Sequence, residues 1–190
     1  NATTPDGTPA DACLATERGV ACTIMVADCL PILLCDSTGT WVAAAHAGWR
    51  GLAGQGGVGV VESTLAAVYA SNRALAHVDT AQAAPEIIAW LGPCIGPAAF
   101  EVGDEVRQAF VGGTPDAADC FAPASPGKWW ANLPALARQR LRAAGIHAVY
   151  GNDGSMSWCT VSNRSRFFSH RRDTAALGGS GRMAACVWRV

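Results

Sequence analysis

Charge is scarce in this chain of 190 residues: Asp, Glu, Lys and Arg make up 15%, and the formal net charge is −1. So near-neutral a balance gives no electrostatic footprint for nucleic acid or for an anionic membrane surface. Long apolar runs are missing too, which excludes a membrane span. No CxxC pair occurs, so a structural zinc knuckle is not expected, and the Gly-Lys-Ser/Thr of a Walker loop is absent. Nothing at the start resembles a secretory signal, and the first residue is Asn1 rather than methionine. The expectation is that an upstream part of the natural chain is missing.

Hydrophobic residues, at 50%, argue for a compact globule with a sizeable core, and the length fits one domain over residues 1–190. The eight cysteines are even in number but too dilute for a disulfide scaffold. Cys22, Cys35 and Cys186 sit inside apolar runs as small core residues, and reduced thiols in the cytoplasm are expected.

The opening NATTPDGTPADACLATERG is rich in turn formers and reads as loop with a short element at most. Buried strands are expected in VACTIMVAD and PEIIAWLGP, a hairpin or adjacent strands in LPILLCD and TWVAAAHAG, and further strands in HAVYG and the tail RMAACVWRV. Val61, Leu65 and Val68 predict a helix packed on a sheet, and Val102, Val106 and Phe110 a second helical face. Residues 111–131 read as loop. Asn132 is the expected N-cap of a helix with Pro134 in its first turn and Gly145 as its stop. This irregular alternation implies an α/β (α+β) single domain, with mixed β-sheets covered by helices.

Three constellations carry chemistry. Cys29 and His46 each stand at the end of a strand-like run. A thiolate and an imidazole suit zinc or copper; they equally suit a nucleophile and base, or a buried thiol beside a hydrogen-bonded core histidine. Asp28, next to the thiol, orients a ligand, moves a proton or caps a turn. Arg50 with the glycines from Gly51 to Gly59 offers an anion site at a helix start, or a plain tight turn. In FFSHRRD, residues 167–173, Ser169, His170, Arg171 and Arg172 form a substrate-binding edge, one arginine held by Asp173 and another facing a phosphate or carbonyl; the alternative is a strand edge with surface charges. His77 and His147 read as surface residues.

Taken together, ADCLPILL, HAGWRG, LGPCIGPAAFEVGDEV and FFSHRRD…GRMA resemble the laccase-domain family, also called the multicopper polyphenol oxidoreductase or YfiH-like family. The resemblance covers nearly the whole chain and implies the family's mixed-sheet fold, a cytoplasmic protein and a monomer. It also implies a zinc-dependent purine nucleoside enzyme: phosphorolysis of adenosine, inosine, guanosine and methylthioadenosine, plus adenosine deamination, with nucleosides and phosphate as small-molecule partners.

In that family the metal is bound by a histidine of a Gln-Val-His-like stretch, the cysteine of ADC and the histidine of HAGW. The last two fall on Cys29 and His46. The first has no counterpart here, its place lying before Asn1, and His170 is the substitute to consider. The loop GLAGQGGVGVV looks longer than the family's usual turn. The expected roles are Asp28 as proton shuttle and Arg50, Ser169, His170, Arg171 and Arg172 around substrate and phosphate. A copper-dependent phenol oxidase is the alternative, with Cu2+ for Zn2+; four histidines are too few for a multicopper centre. A cysteine hydrolase using Cys29 and His46 is a further one.

Overall fold

The structure is a computed structural model that describes residues 8–75 and 85–190. His77 lies outside the described residues. Strands β1 (Ala12–Ala15), β4 (Val42–Ala47), β3 (Leu30–Asp36), β5 (Ile87–Leu91) and β9 (Ala148–Gly151) form a five-stranded sheet in that spatial order. Its pairings are antiparallel except for the parallel β5–β9 contact. The apolar runs LPILLCD and VAAAHA are buried on both faces, which is why they read as continuous hydrophobic stretches rather than alternating ones.

One face carries the main core. Leu30, Ile32, Leu34, Ala43, Ala45 and Leu91 pack against α2 (Val60–Leu75) through Val61, Leu65 and Val68, and against α4 (Leu133–Ala143) through Leu136 and Leu141. Each fully buried aliphatic side chain of this set contributes about 1.5–3 kcal/mol. The opposite face presents Val42, Ala44, Leu33 and Cys35 to a two-stranded ribbon of β2 (Ala21–Val26) and β10 (Met183–Trp188). In β2 the burial alternates strictly, with Cys22, Ile24 and Val26 inward. Helices, large sheet and ribbon thus make three layers of a mixed α/β unit. Among the described residues no helix is long and apolar enough to cross a membrane.

The expected helix start at α4 is present: the Asn132 side chain accepts a 3.1 Å hydrogen bond from the Ala135 amide, and Gly145 beyond the helix has φ 83°. The short element allowed in the opening stretch is the edge strand β1, paired along β4. Two expectations are corrected. Residues 111–131 are not loop throughout: a 3-10 turn over Pro115–Cys120 leads into β7 (Phe121–Pro123) and β8 (Lys128–Ala131). The helical face assigned to Val102 begins later, because Glu101–Gly103 is strand β6, paired to β8, and α3 spans Asp104–Val111.

Candidate functional site

The thiol and the imidazole are brought together by register. Leu30 pairs with Ala47 and Pro31 with His46, so Cys29, just before β3, stands diagonally across from His46 on the ribbon-facing side of the sheet. Gly48 continues β4 opposite the thiol. A Cβ built there would lie 3.1 Å from Cys29 Sγ and 3.7 Å from His46 Cε1. Both groups therefore border one small space that the missing side chain of Gly48 leaves open. A thiolate and an imidazole bordering one space are donor types that zinc binds, at about 2.3 Å and about 2.1 Å.

His46 Nδ1 lies 3.5 Å from Asp11 Oδ1, and the His46 amide donates to the Asp11 carbonyl at 2.7 Å. A carboxylate at Nδ1 orients the ring so that Nε2 is the free coordinating nitrogen. Burial, with Asp28 next, raises the Cys29 thiol pKa above its ordinary value, and the charge of Arg182 opposes them. A bound cation would reverse that balance. Among the described residues no group of three or more His, Cys, Asp or Glu side chains converges. Cys29 and His46 are two donors of the kind that zinc takes, and no third protein ligand joins them among the described residues.

Asp28 is tied down. It has φ 82°, a backbone region costing about 1–2 kcal/mol for an L-residue, though Asp tolerates it better than most. Its carboxylate accepts from Thr160 Oγ1 at 2.5 Å, Ser169 Oγ at 3.1 Å and the Arg171 amide at 2.6 Å, while its carbonyl accepts from the Ile95 amide at 2.9 Å. It is 8% exposed. The geometry makes Asp28 a joint between the thiol, the 160 loop and the start of α5.

FFSHRRD is not a strand edge: α5 runs from His170 to Leu177 with Ser169 as N-cap. The Ser169 hydroxyl accepts from the Arg172 amide at 3.1 Å, and the Asp173 carboxylate accepts from the Ser169 amide at 3.0 Å, a reciprocal cap. Ser169 is fully buried and engaged, which removes it from direct substrate contact.

Arg172 is likewise committed. Its Nε and one NH2 hydrogen go to Asp173, the other NH2 hydrogen goes to the Phe167 carbonyl, and NH1 serves the Thr160 and Val161 carbonyls. Five donors meet five acceptors, so its role is to clamp the 160–167 loop. Arg171, exposed, donates to the Glu101 carbonyl at 3.2 Å and stands over Phe100. His170 is exposed, its Nδ1 3.0 Å from the Thr174 hydroxyl. Arg50 lies in the short helix α1 (Trp49–Ala53), exposed and stacked 4.3 Å over Trp49.

The glycine loop serves another purpose than anion capture. The Gly59 amide, at the start of α2, donates to Glu62 Oε2 at 2.8 Å, and Arg140 bridges Glu62 and the Gly57 carbonyl. The chain's own carboxylate holds the helix N-terminus. A Cβ at Gly59 would press to 2.6 Å from the Leu52 carbonyl, so glycine is required there for close approach.

The sequence profile of a family described as multi-copper polyphenol oxidoreductase laccase matches residues 1–190. The chain belongs to that family. It is 47% identical over 180 residues to a purine nucleoside phosphorylase of Pseudomonas aeruginosa strain PAO1, covering 94% of this chain and 64% of that one. A more distant relative, at 37% over 182 residues, is the adenosine deaminase RL5 of an unknown prokaryotic organism, covering 94% of this chain and 62% of that protein. The crystal structure of Neisseria meningitidis protein NMB0706 matches with a TM-score of 0.77 at 46% identity, covering 95% of this chain and 64% of that one. The chain thus spans just under two thirds of the length of the relatives it matches.

Within this laccase-domain chain, sequence reasoning missed Asp11, Gly48 and Arg182. Asp11 lay in a stretch read as loop, and its partner His46 is 35 positions away. Gly48 was legible only as part of HAGW. Arg182, in the GRMA segment, is felt electrostatically at Cys29.

Proposed function

We propose that the protein is a zinc-dependent purine nucleoside enzyme, cleaving adenosine, inosine, guanosine and methylthioadenosine with phosphate and deaminating adenosine. The observation that carries this reading is the convergence of Cys29 Sγ and the His46 ring on the open space at Gly48. The names of the relatives, a purine nucleoside phosphorylase and an adenosine deaminase, support it.

Cys29 and His46 would hold the ion, with Asp11 orienting the imidazole. A zinc ion bound there supplies Lewis acidity for activating an oxygen nucleophile near neutral pH. The chain's own work is to place substrate against that point. Asp28, saturated by three donors, fixes the backbone on which Cys29 rides and joins it to α5. His170 and Arg171, at the exposed start of α5, and Arg50 are the groups left to meet phosphate. Arg182, whose charge reaches the thiol, adds to the positive field.

The raised pKa of the Cys29 thiol weighs against the cysteine-hydrolase alternative, which needs a thiolate without a metal. The test is phosphate-dependent release of hypoxanthine from inosine by the full chain, with and without Cys29→Ala. Loss of at least a hundredfold in the variant is expected. Full nucleoside activity in Cys29→Ala would show the metal mechanism to be wrong.

A further inference from the structure

Two thiols outside the candidate site meet across the gap between the large sheet and the ribbon. Cys13 pairs directly with Ala44 along β1 and β4, and directly paired residues point to one face, so its side chain follows that of Ala44 toward β2. Cys22 comes from the opposite side, as an inward residue of β2. Both sulfurs rest on the same strand: Cys13 Sγ lies 3.9 Å from the Ala44 carbonyl oxygen and Cys22 Sγ 3.6 Å from that of Val42, two positions along β4. The Cys22 thiol also hydrogen-bonds the Cys13 sulfur.

The two thiols are unequal. Cys22 is buried, whereas Cys13 is only partly so and open to a small reagent. The bond from the Cys22 thiol holds the Cys13 thiol below its ordinary pKa against the opposing effect of burial, and the Thr23 amide adds to it. The same bond, together with burial, raises Cys22, which keeps its proton. Thiol–disulfide exchange needs this division: a reachable sulfur with thiolate character, and a second thiol in contact with it. The other described thiols lack it. Cys94 and Cys159 are bridge partners, but both are buried. Cys29 and Cys35 are pushed up by burial. The link between Cys13 and Cys22 is also short and already closed. Residues 16–20 join β1 to β2, the Gly19 amide donates to the Arg189 carbonyl at 3.1 Å, and the Arg189 guanidinium reaches the Thr16 carbonyl.

We propose that Cys13 and Cys22 form a thiol–disulfide exchange site for low-molecular-weight disulfides, with Cys13 attacking and Cys22 resolving. The Cys13 thiolate attacks one sulfur of the small disulfide; the S–S bond of that molecule breaks, one small thiolate leaves, and a mixed disulfide stands on Cys13. Cys22 then loses its proton and attacks Cys13 Sγ, breaking the mixed disulfide and releasing the second small thiolate. Two protein thiols are oxidised to one disulfide, one small disulfide is reduced to two thiols, and the two protein protons pass through solvent to them. Neither Cys29, His46 nor a nucleoside takes part. The product ties the edge strand β1 of the large sheet to the ribbon, two layers that meet there through side-chain packing.

The test adds oxidised glutathione to the reduced, folded full chain at about pH 6, where thiolate character separates the cysteines most. Samples are acid-quenched, alkylated, cut with trypsin and mapped by mass spectrometry. The expected product is residues 1–18 joined to residues 19–50 through Cys13 and Cys22, with Cys29 and Cys35 alkylated. Cys13 is expected to react at least about fivefold faster than Cys29 or Cys35. In Cys22→Ser the glutathione adduct on Cys13 should persist, and in Cys13→Ser none should form on Cys22. A wild-type chain that keeps both thiols, or that joins either of them to another cysteine, overturns the site. An adduct that persists on Cys13 in the wild type overturns the resolving role of Cys22. These wild-type outcomes decide the matter even where a serine variant fails to fold.

Discussion

The hydroxyl of Thr160 donates a 2.5 Å hydrogen bond to the carboxylate of Asp28, 132 residues earlier in the chain. Through this bond, and those from Ser169 and the Arg171 amide, the residue next to the candidate metal thiol is locked to the 160 loop and the start of α5. Asp28→Ala leaves two buried donors and one partly buried one without an acceptor, at about 1–3 kcal/mol for an uncompensated buried group. We expect a stability loss of about 2–4 kcal/mol in urea unfolding. Thr160→Val should cost about 1 kcal/mol and leave kcat nearly unchanged. If Asp28 were a proton shuttle, Asp28→Asn would instead lose about 100-fold or more in kcat with little change in stability.

Arg172 offers a second test of structure against chemistry. Its ion pair with Asp173, at 2.6 Å, is mostly shielded from water, so removing one partner strands the other. Arg172→Ala is expected to destabilise by about 3 kcal/mol and to open the 160–167 loop to limited proteolysis. Arg172→Lys should not rescue it, since a single ammonium cannot serve five acceptor contacts in a planar fork. Retention of wild-type proteolytic resistance in Arg172→Lys would contradict the clamp.

Around the thiol, two changes separate fold from metal binding. Asp11→Asn removes the orienting carboxylate from His46 Nδ1, and a loss of about 10–100-fold in zinc affinity is expected with an unchanged thermal midpoint. Gly48→Ala sets a methyl 3.1 Å from the sulfur, and a comparable loss of zinc affinity follows from crowding. Competition with a chromophoric chelator reads both. Affinity within twofold of wild type in both variants would place the ion elsewhere.

Asp36 predicts a pH dependence remote from the site. Burial pushes its carboxyl up, but the Thr38 and Thr40 hydroxyls and the Trp41 and Thr40 amides outweigh it, leaving the folded pKa below the ordinary carboxylate value. A depressed folded pKa contributes stability that is present above the unfolded value and lost as pH falls through the folded one. Asp36→Asn should therefore cost about 1–2 kcal/mol at pH 7 and progressively less below the ordinary carboxylate range. Urea unfolding across that range measures it; a constant difference would contradict the assignment.

The inner strands of the main sheet, β3, β4 and β5, were legible because they are nearly continuous apolar runs, and α4 because Asn132, Pro134 and Gly145 mark its ends. The three-stranded sheet of β6, β7 and β8 was not, since three or four residues per strand give no period and its pairing joins Glu101 to Trp130 across the chain. The α5 helix went unseen although Ser169 and Asp173 form its cap, because two phenylalanines ahead of the charges suggested a strand. Cys29 and His46 were visible as residue types, but only the β3–β4 register makes them neighbours. Arg172 and Ser169 looked like ligand contacts because sequence shows available donors and not the carbonyls and carboxylates that occupy them.

The most direct measurement is cobalt(II) titration of the metal-free full chain, followed by its near-ultraviolet thiolate-to-metal absorption and repeated with Cys29→Ser and His46→Ala. A saturable band at one ion per chain is expected, absent in Cys29→Ser, much weakened in His46→Ala and displaced by zinc. No band in the wild-type protein, or a band undiminished in Cys29→Ser, would contradict it.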